Sequence, residues 1–326
     1  MAGNKVINQH TVSQSYLRFF ANKAEQIYVF DKLQKKTFPT HIRNVASGRY
    51  FYDFPEGLPP DEEGELPDQI VEKFFAEIEG EYPKKINKII ATYHMAHPDK
   101  VYSMPAFSLE DKMEITGLIT LQILRTKEFR AGLVELHEKF TKSLLDRFIQ
   151  EDESEFAPDS YELKIKNEFY SVLQAQQLAN PEFLDSMTQT LMNHIWVVFV
   201  NLTDLPIYTS DTPIVKHANK DDKFISYGGY ASEGIEIHYP LNSKFVLTLM
   251  DRRYFKDMEA LENCFLPLDN VENIKYLNGL QISHAYRQVF CAEDKFDMAF
   301  DYCKQYPDAC EEAKNRVSVH AFGRKY

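Results

Sequence analysis

His194-Ile-Trp-Val-Val-Phe-Val-Asn-Leu202 is where the periodicity of this chain changes. Its apolar, β-branched and aromatic run predicts a strand. Four shorter segments of the same kind follow, separated by turn residues: Ile207–Thr209, Phe224–Tyr227, Ile235–His238 and Lys244–Met250. Together they predict an antiparallel sheet built mainly from residues 194–250. The preceding stretch reads differently. Ile70, Phe74, Phe75 and Ile78 recur at helical spacing, and helices are predicted over Asp68–Glu79, Lys84–Ala96, Ser108–Arg125, Phe129–Gln150, Tyr161–Ala179 and Pro181–Met192. After the sheet, Asp269–Cys291 and Asp294–Gln305 read as helix again.

Near the start, Thr11-Val-Ser-Gln14 has the form of a capping box opening a helix that ends near Asn22. Gln26–Leu33 and Val45–Tyr52 read as early strands that pair with each other or with the later sheet. The prediction is an α+β fold, predominantly helical, with an antiparallel sheet plus these early strands. A length of 326 residues fits one large domain. Its natural subdivisions are 1–60, a helical 61–192, and 193–326 with the sheet and C-terminal helices.

With 44% hydrophobic residues the chain can bury a sizeable core, which excludes disordered and fibrous classes. No apolar run approaches the roughly 18 residues of a membrane-spanning helix, and Met1–His10 has no signal-peptide core. The expectation is a soluble, cytoplasmic protein without a membrane partner. A net charge of −12 disfavours nucleic acid as a partner. The basic stretches Lys32–Lys36 and Lys84–Lys88 leave room for a local groove. Cys264, Cys291, Cys303 and Cys310 contain no Cys-x-x-Cys and are expected to be reduced and buried.

Glycine-rich phosphate loops and nucleophile elbows are absent. His94-Met-Ala-His97 has a spacing that can bind metal, but it lacks the glutamate base of a zincin and ends a helix before Pro98. A solvated helix end is the plainer reading. His10, just outside the first capped helix, suits a general acid or base, or a histidine bonded to nearby backbone. In Thr209-Ser-Asp-Thr-Pro213, Asp211 follows a strand, where it serves as metal ligand or base, or caps its own turn. Gln122 and Arg125 share a helical face. A helix break near Thr126 would let Arg125 and Arg130 clamp one anion; exposed ion pairs with Glu128 or Glu135 are the alternative.

Taken in order, several segments resemble the bacterial domain-of-unknown-function 4238 family. They are Asn8–Phe20, Ile27–Asp31, Arg49–Asp53, Ala76–Glu79, Gln122–Arg130, Thr209–Pro213, Tyr239–Leu241 and Asn278. The resemblance covers nearly the whole chain. It implies a polar signature of His10, Gln14, Glu79, Arg125, Arg130, Ser210 and Asp211 converging from distant segments. Ser13 stands where the family often has proline, and Thr212 where asparagine is frequent. The family brings no established activity with it.

Two functions follow as expectations. The first is a metal-dependent phosphodiesterase or nuclease-like hydrolase, in a toxin or phage-defence setting. His10, Glu79 and Asp211 would be catalytic, with Glu79 and Asp211 holding a divalent metal. Gln14, Arg125, Arg130 and Ser210 would bind substrate. The second is a non-catalytic binding or sensor module for an anionic ligand or partner protein. In it His10 and Gln14 satisfy the first helix, and Glu79 and Arg125 form a buried ion pair.

Overall fold

The computed structural model describes residues 5–58, 67–151, 160–222, 225–312, 316–321 and 324–325. Strand β1 (Asn8–His10) leads to a short helix α1 (Gln14–Leu17). Next come β2 (Gln26–Asp31), β3 (Lys36–His41) and β4 (Ser47–Arg49). Six helices follow: α2 (Ile70–Ile78), α3 (Glu81–Met95), α4 (Leu109–Leu124), α5 (Lys127–Glu151), α6 (Tyr170–Leu178) and α7 (Pro181–Met192). The second strand set is β5 (Ile195–Asn201), β6 (Thr209–Ser210), β7 (Val215–Ala218), β8 (Ile235–Pro240), β9 (Phe245–Met250) and β10 (Phe265–Leu268). Helix α8 (Val271–His284), β11 (Gln288–Cys291), α9 (Asp297–Gln305), β12 (His320–Ala321) and β13 (Arg324–Lys325) complete it. The fold is α+β.

A five-stranded sheet has the order β10-β5-β9-β8-β7. Strand β5 pairs antiparallel with β9, placing Trp196 opposite Leu249. It also pairs parallel with β10, so the sheet is not wholly antiparallel. With neighbours on both sides, β5 and β9 read as continuous apolar runs. The main core forms where α1, α3 and α4 meet this sheet: Tyr16, Ile119, Trp196, Phe245 and Phe265 are all shut off from solvent. Each such side chain contributes about 1.5–3 kcal/mol on burial.

A four-stranded sheet, β3-β2-β11-β6, takes two strands from the N-terminal part of the chain, one from the middle and one from near the C-terminal end. It departs from expectation twice. Gln288–Cys291 was expected to continue a helix, but α8 stops at His284, and Ala285 turns extended at ψ 135°. Gln288-Val-Phe-Cys291 then fills the slot between β2 and β6. The second early strand also shrinks. Only Ser47–Arg49 pairs, and with β1 rather than β2; Tyr50, at φ 49°, turns the chain away. The partner of β2 is β3, which tolerates Pro39 because it lies at the sheet edge.

Thr11 is not the first helix cap. His10 is still in β1, Thr11 donates its hydroxyl to the Ala46 carbonyl, and Ser13 caps α1 by accepting from Ser15 N. Tyr161–Ala179 contributes α-helix only over Tyr170–Leu178. Of the expected strand Phe224–Tyr227, Phe224 lies outside the described residues and 225–227 form no strand. Its place in the sheet is taken by β7. Cys303 and Cys310 are joined as a disulfide rather than reduced. The end of α9 and the turn after it bring their Cα atoms to 5.6 Å, within bridging range. Among the described residues no helix is long and apolar enough to cross a membrane.

Candidate functional site

The break between α4 and α5 falls on Arg125 and Thr126, as the sequence allowed. Arg125 turns inward and is 1% exposed. Its Nη2 donates to the His10 carbonyl at 2.6 Å and to Glu79 Oε1 at 3.0 Å, and its guanidinium stacks 4.3 Å over Phe75. Tyr52 donates its hydroxyl to the Arg125 carbonyl at 2.9 Å. Glu79, capping α2, is thus tied to the cation as an ion pair whose Arg125 half is buried and whose Glu79 half is partly exposed; the second functional reading expected both to be buried.

His10, whose carbonyl Arg125 holds, has its ring beside the same cation. Burial, followed by the Arg125 charge, lowers its pKa to about 4, so the ring is neutral and weakly basic near neutrality. Its Nδ1 lies 3.4 Å from the Gln14 amide, and its Nε2 is buried without a partner. Glu72 stands near the same cation. Its burial, only partly offset by Arg125, raises its carboxyl to about 7.

Arg130 does not join Arg125 on one anion. It donates from Nε to Gln174 Oε1 at 2.8 Å and stacks 3.3 Å over Phe51. Gln174 in turn donates to the Leu124 carbonyl, so Arg130 ties α5 to α6 and Gln174 ties α6 to the end of α4. Tyr52 touches both arginines, through the Arg125 carbonyl and, at 5.7 Å from its ring, the Arg130 guanidinium.

Ser210 and Asp211 serve the four-stranded sheet. Ser210 Oγ accepts from Thr212 N and lies 2.8 Å from Gln281 Oε1, which joins the strand end to α8. Asp211 does not close its own turn. Its Oδ2 accepts from the backbone N–H groups of Arg287 and Gln288, both at 2.9 Å, and so anchors the start of β11. Oδ1 is buried without a partner. Burial raises this carboxyl to about 6, against those two amides and the charges of Lys127 and Lys32. Asn278 is a similar fastener, accepting from Tyr208 N and donating to the Pro206 carbonyl.

The signature therefore splits in two. Glu79 is committed to Arg125, and Asp211 to the β11 backbone; the two share no partner. Among the described residues no three His, Cys, Asp or Glu side chains stand together as a metal-holding group. His94 lies in the last turn of α3 and packs edge-on against Phe245. His97 is exposed and accepts from Asp99 N.

A cleft of about 910 Å³ opens beside this frame, between α5 and β7. Phe129, Leu133 and Leu136 of α5 form one wall, with Phe183 of α7 nearby; Ile214, Lys216, His217 and Ala218 form the other. Glu128, His137, His284 and Arg316 add polar groups. Arg316 donates to Glu128 Oε1 at 2.9 Å, and its backbone N–H reaches Glu135, so the C-terminal segment is strapped across α5. Gln122, Thr126 and Thr212 connect the cleft to the signature frame. Gln122 is itself buried and donates to the Thr11 carbonyl.

A family model described as "Protein of unknown function (DUF4238)" matches residues 8–295. The chain belongs to this family. No curated protein and no solved structure matches it. The DUF4238 match begins at the first residue of β1 and stops before α9. It takes in both signature frames and β7, but not Arg316 and Val317 of the cleft rim. The cleft residues escaped the sequence reading because Glu128, Lys216, His284 and Arg316 come from four separate elements with no common spacing. The one available signal was Val215-Lys-His-Ala218, a short segment between Pro213 and a polar turn.

Proposed function

We propose that this DUF4238 chain is a non-catalytic binding module whose ligand, apolar in body and anionic in part, occupies the cleft between α5 and β7. The observation that carries the reading is the cleft itself. Its volume of about 910 Å³ lies in the upper range of ligand sites, roughly 300–1,000 Å³, and its apolar walls carry a few polar groups. Lys216 and Arg316 are its cations; Arg316 already holds Glu128, the one carboxylate of the lining, so Lys216 is the charge left over in a chain that as a whole is acidic.

The signature residues fit the same reading. Arg125, Arg130, Ser210 and Asp211 spend their hydrogen bonds on holding elements together beside the cleft. Titration with anilinonaphthalene sulfonate, an apolar anion, tests it. Saturable fluorescence is expected in the wild type, and loss of it in Leu133→Arg with cooperative unfolding retained. Equal binding by both proteins would place the dye elsewhere and remove the support.

A metal-dependent phosphodiesterase is the second reading, and Asp211 is the observation in its favour. A buried carboxyl with a pKa near 6 and an unpartnered oxygen is the kind of group that functional sites contain. Labelled RNA and DNA incubated with Mg²⁺, Mn²⁺ or EDTA decide it. Metal-dependent cleavage lost in Asp211→Asn would move the assignment to a hydrolase.

A further inference from the structure

Strand β7 is the last in the five-stranded sheet, paired with β8 on one side only. Successive strand residues point to opposite faces. Ile214, Lys216, Ala218 and, on the neighbouring strand β8, Ile235 line the cleft from one face, and His217 of the opposite face lines it too, so the cleft reaches round the open edge of the strand. Among the described residues no backbone hydrogen bond reaches Val215–Ala218 from outside its pairing with β8. The backbone groups of β7 that do not pair with β8 thus lack a backbone partner among the described residues, and the strand lies beside a space walled by the apolar side of α5.

An exposed strand edge is a template for a further strand, and a groove beside it sorts that strand by its side chains. Here the groove supplies two sorting rules. Phe129, Leu133, Leu136 and Ile214 favour apolar side chains. Lys216 is the second rule. Its ammonium donates to the Gly228 carbonyl and lies 4.3 Å over the Tyr230 ring, and among the described residues no carboxylate pairs with it. Burial alone lowers its pKa, with no acid opposing the shift. An acidic side chain on the incoming segment would supply the missing counter-charge.

We infer that the occupant of the cleft is an extended peptide segment of a partner protein, alternating apolar and acidic residues, which adds to the free edge of β7 as a further strand. The inference rests on the cleft being a binding site and specifies its partner. It would give the Lys216 ammonium a counter-charge and the outward backbone groups of β7 their partners.

The test uses the full chain and a short fluorescein-labelled peptide of alternating valine and glutamate, read by fluorescence anisotropy. Saturable binding is expected. N-methylation of the peptide amides along one edge should weaken it at least about tenfold, about 1.4 kcal/mol, and methylation along the other edge should not. A lysine-for-glutamate peptide should fail to bind, and Lys216→Met should weaken the acidic peptide by about tenfold. The methylated peptides keep the test valid even if Lys216→Met disturbs the fold.

Equal binding of all methylated forms, or of the acidic and basic peptides, overturns strand addition. Dye binding without peptide binding overturns the peptide while leaving the binding cleft in place; failure of both removes the cleft reading too. Displacement of the probe by a peptide copying residues 316–321 would give the edge to the chain's own C-terminal segment. A doubled mass by light scattering would give it to a second copy. Either result overturns the proposed partner.

Discussion

Arg125 is a fully buried cation and Lys216 a half-buried one, and the protein treats them in opposite ways. Around Arg125 the chain supplies an anion, a carbonyl and an aromatic face, all from its own N-terminal elements. Around Lys216 it supplies a carbonyl and an aromatic ring but no anion, and leaves about 910 Å³ of space alongside. Desolvating a charge is costly unless it is paired. Arg125 is tied into the frame by its Nη2, with Nε and Nη1 buried without a partner, whereas the cleft reading proposed above leaves Lys216 to an outside partner. The sequence alone singled out Arg125 and not Lys216, since only Arg125 lies in a segment that resembles the family.

The sharpest way to break the contrast is Arg125→Met. Removing this cation strands Glu79 and the His10 carbonyl, and a loss of about 3–5 kcal/mol is expected in urea unfolding. A change under about 1 kcal/mol would mean the frame is not held there. Glu79→Gln is milder, because the amide oxygen still accepts from the guanidinium and Glu79 is partly exposed, its side chain at 24%. About 1 kcal/mol is expected from the same measurement.

Asp211 sharpens the comparison through pH. Its folded pKa of about 6 lies above the ordinary 3.8, so the folded state favours the protonated form. That contribution is fully present below pH 3.8 and is lost as pH rises towards 6. Subtracting the Asp211→Asn profile from the wild type should leave a stability difference that declines across that window and is flat above it. A difference that rises with pH instead would show that the β11 amides, not burial, dominate this carboxylate. The His10 ring acts in reverse. With a folded pKa of about 4 against 6.5, it favours folding above pH 6.5, and that contribution is lost as pH falls towards 4.

The smallest expected effect on stability belongs to the cleft. Leu133 is half-buried and outside the main core, so Leu133→Arg should shift stability by no more than about 0.5 kcal/mol while abolishing dye binding. A large loss of stability would mean that this wall is core rather than site.

What the sequence disclosed follows from how local each signal is. Helix α7 was read correctly over Pro181–Met192 because Asn180 caps it and Pro181 fits its first turn. Strands β5 and β9 were legible because they are buried from both sides and hence continuously apolar. Strand β11 was missed because four residues with no turn signal before them are taken over by the preceding helical pattern. Strand β7 has one β-branched residue in four, and its existence depends on pairing with β8. The signature residues were legible as a set through the family resemblance. Their grouping was not, since a side chain's partner across the fold leaves no trace in spacing.

Strand β11 also constrains the order in which this chain can be finished. Arg287, at its threshold, pairs with Asp31 at the end of β2, 256 positions earlier. A ribosome therefore makes β2 early and its inner neighbour almost last. Through most of synthesis the nascent N-terminus carries a strand whose second edge has no native partner, which makes it sticky. Slow closure follows, because a contact this distant must wait for the intervening chain. The vulnerable interval for this protein is the time spent on the ribosome before residue 291 emerges.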